Sequence, residues 1–378
     1  MCDGLHRALD SLQRSPTVGS GPGDRERLLP RLQRLWVHLS RNPMAAPIPN
    51  ALPRSIDAGD VRIGISGWRY VPWRGAFYPR GLVQRAELAH ASRQLSTIEI
   101  NGSFYSLQEP SSWGRWFDET PDDFIFSVKG PRFITHMKKL REIDAPMANF
   151  FASGVLRLGR KLGPVLWQFP PNFGFDPATF EPFLATLPFN TDQALCIAEH
   201  HDHRVAGRTW LEIDAVRRIR HAVEVRHPSF VDPDFIALLR QYGVAFVVAD
   251  TSGLWPEKDD VSADFVYVRL HGSETLYQSA YTDAELDRWA ARIAAWRSGG
   301  QAADARLIAS RPHSRRRRRD VYCYFDNTDK LQAPIDAKRL IERLQSNPER
   351  IDEGPRTPST ASRHRMTPPA RDERARID

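Results

Sequence analysis

Lys129, Arg226 and Arg269 are three cations placed near the ends of short apolar runs, in "FSVK", "VEVR" and "VYVR". An arginine grips a carboxylate or phosphate through two parallel hydrogen bonds, and a lysine adds a point charge. Together they point to an anionic ligand. Salt bridges to Glu99, Glu224 and Asp250 are the competing use of the same charges. With Glu224 or Asp250 as base and His271 or His136 as acid, such a place is equipped for hydrolysis near neutral pH. Glu99, Asn101, Tyr105, Gln168, His227 and Asn327 fall at comparable points and are expected to contact the substrate.

Other chemistries draw on the same side chains. Glu99 and Glu224 are two carboxylates of the kind that flank a glycosidic bond. His136, His227 and His271 with Glu99, Glu224 and Asp250 offer mixed nitrogen and oxygen donors for a divalent metal. A histidine at a strand end more often orients a neighbour, so no metal ligand is assigned. The cluster His200-His201-Asp202-His203 reads as surface. Trp68, Trp73, Phe104, Tyr105 and Trp167 suit stacking on a base or sugar, or packing under loops. No nucleophile elbow, glycine-rich phosphate loop or Gly-x-Gly-x-x-Gly follows an apolar run, which argues against a serine triad, nucleoside triphosphate chemistry and dinucleotide binding.

The elements that must position these residues are eight β-type runs: 61–66, 97–101, 124–129, 164–169, 221–226, 244–250, 264–271 and 320–326. Several are almost continuously apolar, as expected of strands covered on both faces. Helical signals lie between them. Asp232-Pro233 opens a segment closed by Gly243, Thr282 to Glu285 is a capping box, and Ala333 to Leu344 repeats the pattern. Strand–helix alternation repeated eight times predicts a parallel sheet closed into a (β/α)₈ barrel, with sites where strands end. Residues two apart share a face. Glu99/Asn101, Glu224/Arg226, Arg269/His271 and Tyr324/Asp326 are therefore each expected to point toward the barrel axis.

The net charge of +7 invites a nucleic-acid reading, but five of those charges sit in Arg315 to Arg319 and the body is near neutral. Residues 1–60 form a Pro-, Arg- and Gly-rich extension with one short helical stretch at 28–39, and 348–378 form a similar tail. Both are expected to be disordered, leaving residues 61–347 as the barrel. Met44 is a conceivable alternative start. Cys2, Cys196 and Cys323 lie far apart, which suits a reducing compartment. With no apolar run long enough to span a bilayer and no secretory leader, a cytoplasmic protein is expected. No cofactor or oligomeric state is assigned.

Seven ordered motifs carry a family resemblance. "VRIGISGWRYVPWRG" from Val61 with "FYP" from Phe77, "EINGSFY" from Glu99 and "FSVKGPRFITH" from Phe126 resemble the YecE-like proteins of unknown function. So do "GPVLWQFPPNF" from Gly163, "EVRHPSF" from Glu224, "DFVYVRLHG" from Asp264 and "YCYFDNT" from Tyr322. The likeness covers about residues 61–345 and implies a TIM-like barrel; it supplies no reaction, cofactor or catalytic residue. Residues 193–220 and the arginine-rich stretch 311–319 depart from the pattern. The expected activity is hydrolysis of a phosphorylated or other anionic substrate at the barrel mouth. The alternative is a non-catalytic nucleic-acid-binding protein, with the mouth aromatics and the arginine run gripping phosphates.

Overall fold

The computed structural model describes residues 59–346 except 273, 278, 311–317 and 328–330. Residues 1–58 of the expected extension with its helical stretch and Met44, the C-terminal tail and Arg315 to Arg317 lie outside the described residues.

Runs of Val, Ile, Phe and Tyr extend because branched and aromatic side chains fit a pleated surface covered by neighbours. They form β1 (Val61–Ser66), β2 (Thr97–Ile100), β3 (Ile125–Lys129), β4 (Leu162–Gln168), β5 (His221–Glu224), β6 (Ala245–Asp250), β7 (Phe265–Leu270) and β8 (Asp320–Phe325). All pair in parallel and in chain order, and β8 returns to β1 through Val61↔Val321 to Ile65↔Phe325, closing the barrel.

Alternation along each strand sorts the side chains. Leu166, Ala222, Ala245, Val247, Ala249, Phe265, Tyr267 and Tyr324 fill the barrel, while Ile98, Val128, Trp167, Phe246, Val248 and Phe325 face the helices. The Leu, Ile, Val and Phe side chains among them, fully buried, each contribute about 1.5–3 kcal/mol. A one-residue slip would exchange the two sets, so the pattern fixes the register.

The outer layer holds α1 (Glu87–Gln94), α2 (Pro110–Glu119), α3 (Asp144–Ala152), α4 (Pro177–Thr186), α5 (Thr191–Ala198), α6 (Pro233–Tyr242), α7 (Asp283–Arg297) and α8 (Gln332–Ser346). Asp232 caps α6 by accepting from Asp234 N, and Gly243 ends it at φ 66°. Thr282 and Glu285 form the expected capping box on α7, which buries Leu286, Trp289, Ile293 and Trp296. The strict alternation fails once. Among the described residues no helix joins β6 to β7, because Gly253 at φ 76° and Pro256 interrupt a short polar connection.

Arg319, the last of the arginine run, is only 2% exposed and donates to Gly300 O at 2.8 Å. It belongs to the packed body, contrary to its reading as part of a solvated grip. No helix among the described residues is long and apolar enough to cross a membrane.

Candidate functional site

The C-terminal ends of seven strands send polar side chains inward: Ser66, Glu99, Lys129, Gln168, Glu224, Arg269 with His271, and Asp326. β6 sends in only Ala249.

Arg269 lies at the centre, with no solvent exposure. Its Nε and Nη2 donate to Glu99 at 3.1 and 2.8 Å, and its Nη1 donates to Glu224 Oε2 at 2.6 Å. Nη2 also reaches Asp326 Oδ2 at 2.9 Å and Ser66 Oγ at 3.2 Å. Beneath it Tyr267 donates to Glu99 Oε2 at 2.6 Å, and Ser66 donates to Oε1 at 2.5 Å. One guanidinium therefore answers three carboxylates. Such a buried set holds only because its members are hydrogen-bonded. Arg269 is committed to the protein and not available to a ligand. It also fills the gap between Glu99 and Glu224, which leaves no room for a glycosidic bond there.

Lys129 is different. It is 7% exposed, its Nζ sits 4.2 Å from the centroid of the Phe104 ring, and no described carboxylate lies within ion-pair distance. Burial, and then the positive Arg269, push its ammonium down to about 8, against the pull of Glu99, Glu224 and Asp326. Gly130 follows because a Cβ there would sit 2.5 Å from the Trp167 ring.

Arg226 shares Glu224 Oε1 through Nε and Nη2 at 3.3 and 3.2 Å, donates to Tyr277 Oη at 3.1 Å, and stacks 3.8 Å over Trp255. Its Nη1 has no partner among the described residues. Gln168 is 3% exposed, and its amide likewise makes no hydrogen bond with a described residue. Asn101 donates to Ser66 Oγ at 2.8 Å while its buried Oδ1 accepts no hydrogen bond from a described residue.

Burial works to raise Glu224, but Arg269 and Arg226, then His271, hold it well below the carboxylate range. Asp326 is likewise held low, chiefly by Arg269 against burial. An ionised carboxylate pinned by two guanidiniums is a weak proton acceptor. His271 lies 3.0 Å from Asp326 Oδ2 by Nδ1, off the line a good hydrogen bond needs, and 3.5 Å from Glu224 by Nε2.

His136 comes from a wide helical turn, Phe133–Met137, in which Lys138 N donates to Phe133 O at 2.8 Å. Lys139, Leu140 and Glu142 follow at φ 49°, 66° and 48°, a strained stretch that turns the chain back from the mouth. The imidazole faces Phe104 at 5.1 Å, and burial, then Lys129 and Arg226, push it down to about 4. It is neutral at pH 7, so it has no imidazolium proton to give as the acid that the sequence had suggested.

The structure does not bring every expected residue to this place. Asp250 shares the outer face of β6 with Phe246 and Val248. It lines a cavity of about 420 Å³ with Glu257, Trp289 and Arg292, outside the barrel. Burial, then Glu257, raise its carboxyl. His227 caps the turn Pro228–Phe230 by accepting from Ser229 N. Asn327 donates to Ser279 O and Asp336 Oδ2, both at 3.0 Å, anchoring α8. Tyr105, 66% exposed, stands on the rim beside Arg132. Trp73 and Trp167 are fully buried and pack under loops and helices. Among the described residues no group of three or more His, Cys, Asp or Glu is arranged to hold a metal. Ser66 and Tyr277 complete the mouth without having been assigned to it, and Asp326, expected to face the axis, joins it without having been given a role. Asp326 carried a signal, since it shares a face with Tyr324 at the end of β8.

Fold and site together define the class: a (β/α)₈ barrel whose C-terminal mouth is occupied by a charged network. Residues 62–362 match the family described as "Protein of unknown function DUF72", and the chain belongs to that family. It is 30% identical over 172 residues to UPF0759 protein YecE of Escherichia coli (strain K12), covering 45% of this chain and 50% of that protein. Over 118 residues it is 30% identical to UPF0759 protein YunF of Bacillus subtilis (strain 168), covering 30% of this chain and 41% of that protein. The chain thus aligns with about half the length of the first of these curated relatives, and with less of the second. A DUF72 family structure from Thermotoga maritima shares the fold at TM-score 0.56 and 23% identity, covering 76% of this chain and 99% of that one. Another from Enterococcus faecalis does so at TM-score 0.51 and 14% identity, covering 76% and 98%.

Proposed function

We propose that the barrel mouth is an active site for a small anionic substrate and that its reaction is hydrolysis, a phosphoester being the favoured class. The observation that carries this is Lys129, a buried ammonium with no carboxylate of its own. Natural cores seldom keep such a group without a use, because its burial is costly. Arg226 Nη1 and the Gln168 amide are the other unfilled donors, and with Lys129 they hold the anion. Neutral His136, beside Phe104, orients the attacking water. Arg269 binds no substrate; it fixes Glu99, Glu224 and Asp326 so that the three carboxylates do not compete for Lys129.

Thermal melts with inorganic phosphate, glycerol 3-phosphate and nucleoside monophosphates test the site, and phosphate release from the esters tests the reaction. An anion at a hundredfold excess over its Kd stabilises the folded chain by about 2.7 kcal/mol. That corresponds to a rise of roughly 3–8 °C. A panel that neither moves the melt nor releases phosphate overturns the proposal.

A further inference from the structure

Among the described residues, three buried side chains carry a thiol or an amine. Cys323 lies in the outer layer with its thiol pushed far up by burial, which makes it inert. Lys161 spends its Nζ on Phe117 O and Thr120 O at 2.6 and 2.7 Å, where it closes a helix end. Lys129 is neither inert nor spent. Its Nζ meets the face of Phe104 and no hydrogen-bond acceptor among the described residues.

We propose that Lys129 is a carbonyl-reactive amine, forming an imine with an aldehyde or 2-oxo acid whose phosphate or carboxylate is held at the same mouth. The inference rests on the mouth being the ligand site, and not on hydrolysis being its reaction. An amine attacks carbonyls only when it is neutral, and enzymes make it so by desolvation or by a neighbouring cation. Both are present here: the residue is buried and Arg269 stands beside it. Glu99 on β2, Glu224 on β5 and Asp326 after β8 face Lys129 and favour its charged form. All three are already bonded to Arg269, so the amine still falls to about 8. His136 faces it uncharged from the turn after β3.

The step balances with the groups at hand. The Nζ lone pair attacks the carbonyl carbon as the carbonyl π electrons move to oxygen, and one amine proton passes to that oxygen to give a neutral carbinolamine. The second amine proton then goes to the hydroxyl, which leaves as water while the nitrogen lone pair forms the C=N bond. Water entering the mouth carries the protons between nitrogen and oxygen. Amine plus carbonyl gives imine plus one water, with no redox change. The Arg226 Nη1 and Gln168 donors are left for the substrate's anionic group.

Borohydride trapping of the native full-length chain tests this. Glyoxylate, pyruvate and glycolaldehyde phosphate serve as probes, followed by peptide mapping of all seven lysines. The expected result is a saturable single adduct on Lys129, formed at least about tenfold faster than on Lys138 or Lys139. Each pH unit below an amine's pKa costs tenfold in its neutral form, so the labelling rate should climb up to about pH 8 and then level. Lys129→Arg, checked for folding by its melt, should abolish the adduct. Lactate and glycerol 3-phosphate, which lack the carbonyl, are run beside the probes in melts. If they stabilise the chain and no probe labels Lys129, the anion site stands and the imine proposal falls. If neither effect appears, both readings fall. Labelling spread evenly over surface lysines also overturns the imine.

Discussion

Replacing Lys129 by methionine should stabilise the protein, although it removes a charged residue from a network of charges. The drop of the ammonium from 10.5 to about 8 means that the folded state prefers the neutral amine. At neutral pH the protein carries the cost of keeping it charged, at most about 3 kcal/mol by the pKa difference. Contact with the Phe104 ring offsets about 0.5–2 kcal/mol of this. A methionine of similar length keeps the packing and discards both terms, so a gain of about 1–2 kcal/mol is expected, raising the melting temperature by roughly 2–6 °C. The sign with pH follows from linkage. Between about 8 and 10.5 the unfolded chain binds a proton at this residue that the folded one does not, so wild-type stability rises with pH there. The advantage of Lys129→Met is therefore full below pH 8 and fades toward pH 10.5. Denaturant titrations of both proteins at pH 7 and pH 10 measure it. A variant less stable than wild type at pH 7 would refute the reasoning, showing that Lys129 is needed to neutralise Glu99, Glu224 and Asp326.

Arg269→Ala should behave in the opposite way, losing about 3–5 kcal/mol in the same titrations, because it leaves Glu99 and its companions buried without their guanidinium. Asp250→Asn should leave any anion-induced rise in melting temperature unchanged, since Asp250 faces α7 and not the mouth; a lost rise would place the ligand outside the barrel. Arg319→Ala should cost about 1–3 kcal/mol by stranding Gly300 O and vacating a buried volume. Replacing Arg315 to Arg317 by serine tests the nucleic-acid alternative separately. If that run grips phosphates, the salt dependence of DNA or RNA affinity should flatten in the variant.

The barrel was legible because its signal is local. Each strand is a short Val-, Ile- or Phe-rich run bounded by polar residues, and the observed strands differ from the expected ones by no more than two residues at any end. The inward pairs Glu224/Arg226 and Arg269/His271 were legible for the same reason, since two-residue spacing on a strand fixes a shared face. Which member of a strand faces inward was not so legible. Asp250 ends a strand whose inward residues are Ala245, Val247 and Ala249, and apolar residues on both faces of "AFVVAD" hide its phase. Nor does sequence show how a charge is spent. Lys129 and Arg269 look equivalent as cations at strand ends. Only the assembled barrel places three carboxylates around one and an aromatic ring against the other.

Arg269 reaches out from β7 to partners on β1, β2 and β5 and just past β8, so it acts as a hub with spokes to most of the ring. No strand end holding a spoke can fray alone without breaking a buried charged contact. The upper rim therefore opens as one cooperative unit, and its amides should exchange with solvent near the rate of global unfolding. Local motion at the mouth is left to the groups off the spokes: the Lys129 ammonium, the Gln168 amide and the strained stretch that follows the His136 turn. The barrel thus combines a fixed electrostatic frame with a few side chains that are not tied to it.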